Sequence, residues 1–117
     1  MGESILRDKS FTFAVSVLEL GDKLMAKKDY SLRDQIVRSG TSIGANIREG
    51  RNAQGYKDMV SKFSIALKEA DETQYWLDLL NVTQKIEKDY YESLSSDLNE
   101  IISMLISSIK TLKERYL

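Results

Sequence analysis

The sequence predicts an all-α protein, an antiparallel up-down-up-down four-helix bundle. Three observations lead there. Proline is absent from all 117 residues, so no position is forced out of a helix by a missing N–H or a clashing ring. Apolar residues recur at three- and four-residue steps, and no stretch alternates polar and apolar long enough for a strand. Three short polar segments, KKDYS, NAQG and TQKIEKD, interrupt the helical period, and short connections between long helices favour antiparallel neighbours.

The first helix is expected over residues 10–28, with two apolar stripes. One is Phe11, Ala14, Leu18 and Met25; the other is Phe13, Val17, Leu20 and Leu24. After KKDYS, where Asp29 or Ser31 can cap, the second helix spans residues 32–52 with Leu32, Ile36, Ile43 and Ile47 on one face. The third, residues 56–82, carries Met59, Phe63, Leu67, Ala70, Leu77 and Leu80 at helical spacing. The fourth, residues 90–115, has Asp89 as its expected cap. Leu94, Leu98, Ile101, Leu105 and Leu112 form one row, with Ile102, Ile106 and Ile109 beside it. The whole chain, 1–117, reads as one domain.

The outer helices hold more apolar residues than one core-facing stripe of roughly 100° needs. Either the core is deep or a second face is buried against another subunit. An excess on both helices at once favours a homo-oligomer.

Composition removes several functions. There is no histidine and no cysteine, so the usual general base near neutral pH, the commonest transition-metal ligand and all thiolate chemistry are missing. No run of about 18 apolar residues is present, so no membrane span is expected. The opening MGESILRDKS has charges on both sides of a two-residue apolar pair, unlike a signal peptide. Met1 and Gly2 do not continue as a lipidation motif, and a cytoplasmic protein is expected. The net charge of −1 conceals an uneven distribution. Residues 27–62 hold eight Lys/Arg against four Asp/Glu, whereas residues 63–100 hold three against nine.

The least ordinary stretch is RSGTSIGANIREGRNAQGYKD, residues 38–58. A helical register runs through it, yet glycines and hydroxyl residues stand where larger side chains are usual. Gly40 and Gly44 are spaced small-x-x-x-small, which lets a neighbouring backbone come close; a ligand against bare backbone is the alternative. Gly50 and Gly55 are expected to end the helix and shape the turn. Arg38, Ser42, Asn46 and Glu49 step by four, four and three onto one helix face. Glu69, Glu72, Thr73 and Trp76 share a face of the next helix. Two such faces predict a polar network, for instance Arg38 with Glu72 and Asn46 with a backbone or hydroxyl group. It would either be buried and set helix register or serve a pocket or subunit contact.

QIVRSGTSIGANIREG (residues 35–50) followed by KFSIALKEADETQYWLDLL (residues 62–80) resembles the 23S rRNA-intervening-sequence proteins, small bacterial four-helix proteins. The first motif is carried by Arg38, Ser42, Ile43, Asn46, Ile47, Glu49 and Gly50, the second by Ala66, Glu69, Glu72, Thr73 and Leu77. This chain has LKEA where members often carry a Gly-Ser pair. A relative of that family is the accessory variability protein of diversity-generating retroelements. The resemblance implies a four-helix protomer assembled into a ring, commonly a pentamer, working beside RNA or a retroelement protein. It implies no catalytic residue.

Arg33, Arg38, Arg48, Arg51, Lys57 and Lys62 cluster in sequence around the second helix and the turn after it, and Arg48, Arg51 and Lys57 at the helix end are the expected phosphate contacts. Cations there are favourable on helix-dipole grounds alone. Repeated around a ring, they would also combine weak phosphate contacts into salt-sensitive affinity. Tyr56 in the same turn is placed to stack on an unpaired base or to pack. Without a histidine partner, Ser39 and Ser42 make no nucleophile, and no carboxylate spacing compels a metal site. The expected function is therefore a non-enzymatic, cofactor-free, RNA-associated binding or scaffold protein. The alternative is an interaction module whose acidic half docks a basic partner such as a reverse transcriptase.

Overall fold

The described residues form four helices: α1 (Gly2–Ala26), α2 (Tyr30–Arg51), α3 (Tyr56–Val82) and α4 (Lys88–Tyr116). This computed structural model describes residues 2–117, with side chains from residue 5 onward, and no strand occurs among them. Met1, on which the export and lipidation reading partly falls, lies outside the described residues. The molecule measures 47 × 21 × 19 Å. α1 packs on α2 and α4, and α3 on the same two.

α1 begins at Gly2, eight residues before the expected start. The reason lies in Leu6 and Ser10. Leu6 is fully buried and falls one heptad before Phe13, so it extends the stripe of Phe13, Val17, Leu20 and Leu24. Ser10, a residue type that favours caps, is instead buried within the helix and donates its hydroxyl proton back to the Arg7 carbonyl at 3.0 Å.

The helix ends also differ from expectation. α2 follows Asp29 and α4 follows Glu87, and neither makes a side-chain cap bond. Asp29 instead accepts a hydrogen bond from Lys85 Nζ at 2.9 Å, tying two turns together. Asp89 sits inside the first turn of α4, where its charge still suits the helix dipole. Two residues past the ends of α1 and α3 stand residues with positive φ, Lys28 at 63° and Gln84 at 58°. In both, the next N–H reaches back five residues: Asp29 to the Leu24 carbonyl and Lys85 to the Leu80 carbonyl, each 2.9 Å. This pattern usually employs glycine.

All four helices feed one core, which includes Phe13, Ile36, Ile43, Phe63, Leu77, Leu98 and Leu105. The apolar excess is resolved differently on the two outer helices. On α4, Ile102 and Ile109 pack against the core and only Ile106 of that row is exposed. On α1, the second stripe stays outside: Phe11 is 67% exposed, Leu18 50% and Met25 43%. Among the described residues, no helix is long and apolar enough to cross a membrane.

Candidate nucleic-acid interface

The glycines of α2 carry the helix-to-helix fit that positions the site. A β-carbon on Gly40 would lie 2.8 Å from both γ-carbons of Val17. One on Gly44 would stand 3.4 Å from the Ser10 carbonyl and hydroxyl oxygens, ordinary contact. Gly21 of α1 joins them: its β-carbon would sit 2.7 Å from Val37 Cγ2. These three small residues let α1 and α2 approach closely. Gly50 does not end the helix as expected. It is buried within α2, and a β-carbon there would come 2.7 Å from the Phe63 ring. Gly55 does lie in the turn, in extended conformation before α3, with open space around it.

A groove runs between the first half of α1 and the end of α2 and closes on the α2–α3 turn. Phe11, Ala14, Gly44 and Ala45 form its apolar part; Thr12 and Thr41 add hydroxyls. Arg7, Arg48, Arg51 and Lys62 bring positive charge to its walls, and Asp8, Glu49 and Asp58 bring negative. Two of these cations are already paired, Arg7 with Asp8 at 3.3 Å and Lys62 with Glu49 at 3.8 Å. Arg48 and Arg51 form no ion pair among the described residues. Both lie in the last turn of α2, where the helix dipole favours them. Lys57 is exposed on α3 after the same turn but does not line the groove. Thus the structure brings Arg48 and Arg51 to one wall and leaves Lys57 outside.

Sequence reasoning missed Arg7; it placed Lys62 in the basic cluster but not on a groove. Arg7 preceded the expected start of the first helix, and Lys62 belongs to the third helix, which reaches the groove only through the fold. Phe11 was legible as apolar, but its place on the groove was not.

The polar faces of α2 and α3 also meet outside the groove. Arg38 Nη1 donates to Glu69 Oε2 at 3.1 Å, and Arg38 Nη2 pairs with Glu72 Oε2. Trp76 Nε1 donates to that same Glu72 oxygen at 3.0 Å. The Arg38 side chain is 51% exposed, so this cluster sits on the rim rather than in the core. The buried polar contact lies one residue along each helix: the Thr73 hydroxyl reaches Ser39 Oγ at 2.9 Å and the Glu69 carbonyl at 2.7 Å. Asn46 donates to the Ser42 carbonyl of its own helix at 2.9 Å, and Glu49 faces Lys62. Neither joins Arg38, because one shared face of a 22-residue helix is longer than any single side-chain cluster.

Tyr56 is not a lone tyrosine. Its ring stacks on Tyr116 from the end of α4, with centroids 3.7 Å apart and planes 5° from parallel. Among the described residues, no three metal-ligating side chains converge.

Comparison with known proteins agrees with the helical motifs. A solved structure from Bacteroides thetaiotaomicron VPI-5482, described as a protein with unknown function from the S23 ribosomal protein family, is 48% identical in sequence. The likeness covers 94% of this chain and 99% of that one, with a TM-score of 0.91. No curated protein matches the chain. The family model described as 23S rRNA-intervening sequence protein matches residues 3–107, so the chain belongs to the 23S rRNA-intervening sequence protein family.

Proposed function

We propose that this protein is a non-enzymatic, RNA-associated binding or scaffold protein of the cytoplasm, acting as a homo-oligomer of up-down-up-down bundles. The observation that carries the reading is the pair Arg48 and Arg51, which line the groove wall without a carboxylate partner among the described residues. An arginine fork free of intramolecular pairing is suited to phosphate oxygens. Lys57, exposed after the same turn, extends the positive surface past the groove.

Assembly is supported by the outer stripe of α1. Fully burying side chains such as Phe11, Leu18 and Met25 stabilises a contact by roughly 1.5–3 kcal/mol each, enough to favour covering them with a second copy. The family resemblance favours a pentameric ring. The up-down order is supported by contacts that run oppositely along α1 and α4, Lys9 with Glu100 and Lys23 over the Tyr90 ring.

The test is binding of the assembled protein to structured ribosomal RNA across a salt series. Log affinity should fall linearly with log salt, with a slope near −0.9 per phosphate on a duplex and about −0.7 on single strands. Arg48→Glu with Arg51→Glu should abolish binding and leave the oligomer intact by sedimentation. Leu18→Asp should dissociate the oligomer. Absence of binding at low salt would overturn the RNA reading.

A second reading rests on Asp71, Glu92 and Asp97, which are exposed and make no ion pair among the described residues. If a basic protein docks there, charge reversal at these three weakens that complex and leaves RNA affinity unchanged.

A further inference from the structure

We infer that the Tyr56–Tyr116 stack is a platform for an unpaired nucleobase, so that the RNA bound at this end of the molecule is single-stranded or has a base turned out of its helix. The inference rests on the RNA reading above and names the kind of RNA.

Three observations carry it. The rings are almost parallel and 3.7 Å apart, close to the ~3.4 Å rise between bases along one strand. Two phenols overlapped this closely present a flat face like the end of a base stack.

The pair is also not absorbed into the core. Tyr56 is 48% exposed and Tyr116 48%, so both rings reach the surface. The outer face of Tyr116 is the surface assigned to the base.

Finally, the surroundings favour a phosphate chain. Lys57 follows Tyr56, Arg51 ends the helix before it, and Lys113 and Arg115 lie in the last turn of α4 beside Tyr116. None of these four forms an ion pair among the described residues, and the nearby carboxylates along the chain are Asp58 and Glu114. A stacking ring flanked by such cations matches single-strand binding chemistry, in which bases stack on aromatic faces while a basic surface follows the backbone.

The full-length protein should be titrated with three RNAs of equal phosphate number at one salt concentration: an unpaired oligonucleotide, the same oligonucleotide with abasic positions, and a fully paired duplex. The abasic oligonucleotide should bind roughly 5- to 100-fold more weakly than the intact one, the range expected for losing one base–aromatic stack. Tyr116→Leu should remove that preference while leaving duplex affinity and the salt slope unchanged, and Tyr116→Phe should restore it. Equal binding of intact and abasic strands by the native protein would overturn the platform while leaving the RNA reading standing. Failure to bind any of the three would overturn both.

Discussion

Gly40 and Gly44 lie one turn apart on α2, face the same neighbour, and should respond to alanine with opposite signs. Replacing glycine by alanine in a helix interior gains about 0.8–1 kcal/mol of intrinsic stability at either position. What differs is the space. At Gly44 the added methyl meets Ser10 oxygens at 3.4 Å, so Gly44→Ala should keep most of the gain and stabilise by about 0.5–1 kcal/mol. At Gly40 the methyl would sit 2.8 Å from both Val17 γ-carbons and 3.2 Å from its β-carbon, against an optimum of about 3.5–4 Å. Val17 is buried and β-branched, so its one preferred rotamer cannot swing clear. Overpacking of this kind costs about 1–3 kcal/mol, leaving a net loss near 1 kcal/mol for Gly40→Ala. The two variants should therefore differ by about 2 kcal/mol. With a urea slope of about 2 kcal/mol per molar, their midpoints separate by about 1 M. Trp76, the single tryptophan, provides the fluorescence signal. Protein concentration must be held constant, since any self-association makes stability depend on it. A Gly40→Ala protein as stable as Gly44→Ala would refute the claim that α1 and α2 meet through absent β-carbons.

Three further outcomes are expected. Lys28→Gly or Gln84→Gly should each raise stability by about 0.5–1 kcal/mol and the melting temperature by a few degrees, because a left-handed non-glycine residue costs roughly 1–2 kcal/mol and glycine returns part of that as unfolded-state freedom; an unchanged melting point would show that the left-handed turns carry no strain. Arg38→Ala should cost less than about 1 kcal/mol, and less still at high salt, since the side chain is half exposed; a salt-independent loss of about 3 kcal/mol would show the cluster to be buried in solution. The Tyr91 hydroxyl donates to Asp78 Oδ1 at 2.7 Å, and this bond to the carboxylate holds its pKa above the ordinary 10.0. The folded pKa is raised, so its stabilisation is complete below 10.0 and is lost as pH rises through the folded value. Stability measured through that alkaline window should decline less steeply in Tyr91→Phe, and identical slopes would argue against the bond.

The amino-acid sequence alone determined the helical class, the three connections and the apolar rows of each helix, though not which of the two rows on α1 faces inward. Those features depend on local spacing: Phe13, Val17, Leu20 and Leu24 recur at helical steps whatever packs on them. The motif residues Arg38, Asn46, Glu49 and Gly50 were enough to point to the family. Spacing also placed Arg38 and Glu72 on facing surfaces, but it could not say that their meeting is half exposed while Ser39 and Thr73 form the buried contact. Exposure depends on where a third surface passes, not on period.

Several decisions needed the tertiary structure. A serine such as Ser10 has the chemistry of a cap and of a buried helix residue; only the approach of α2 near Gly44 selects the second. Gly50 has the chemistry of a helix end, and only Phe63 packed against it shows that missing volume is what the position requires. Ile102 and Phe11 are equally apolar in sequence, yet one packs against the core and the other is left outside, because α3 flanks the α4 row and no helix of this chain covers the outer stripe of α1. Tyr56 and Tyr116 are 60 positions apart in the chain. Nothing local links them, and they became one surface only when the end of α4 came to rest beside the start of α3.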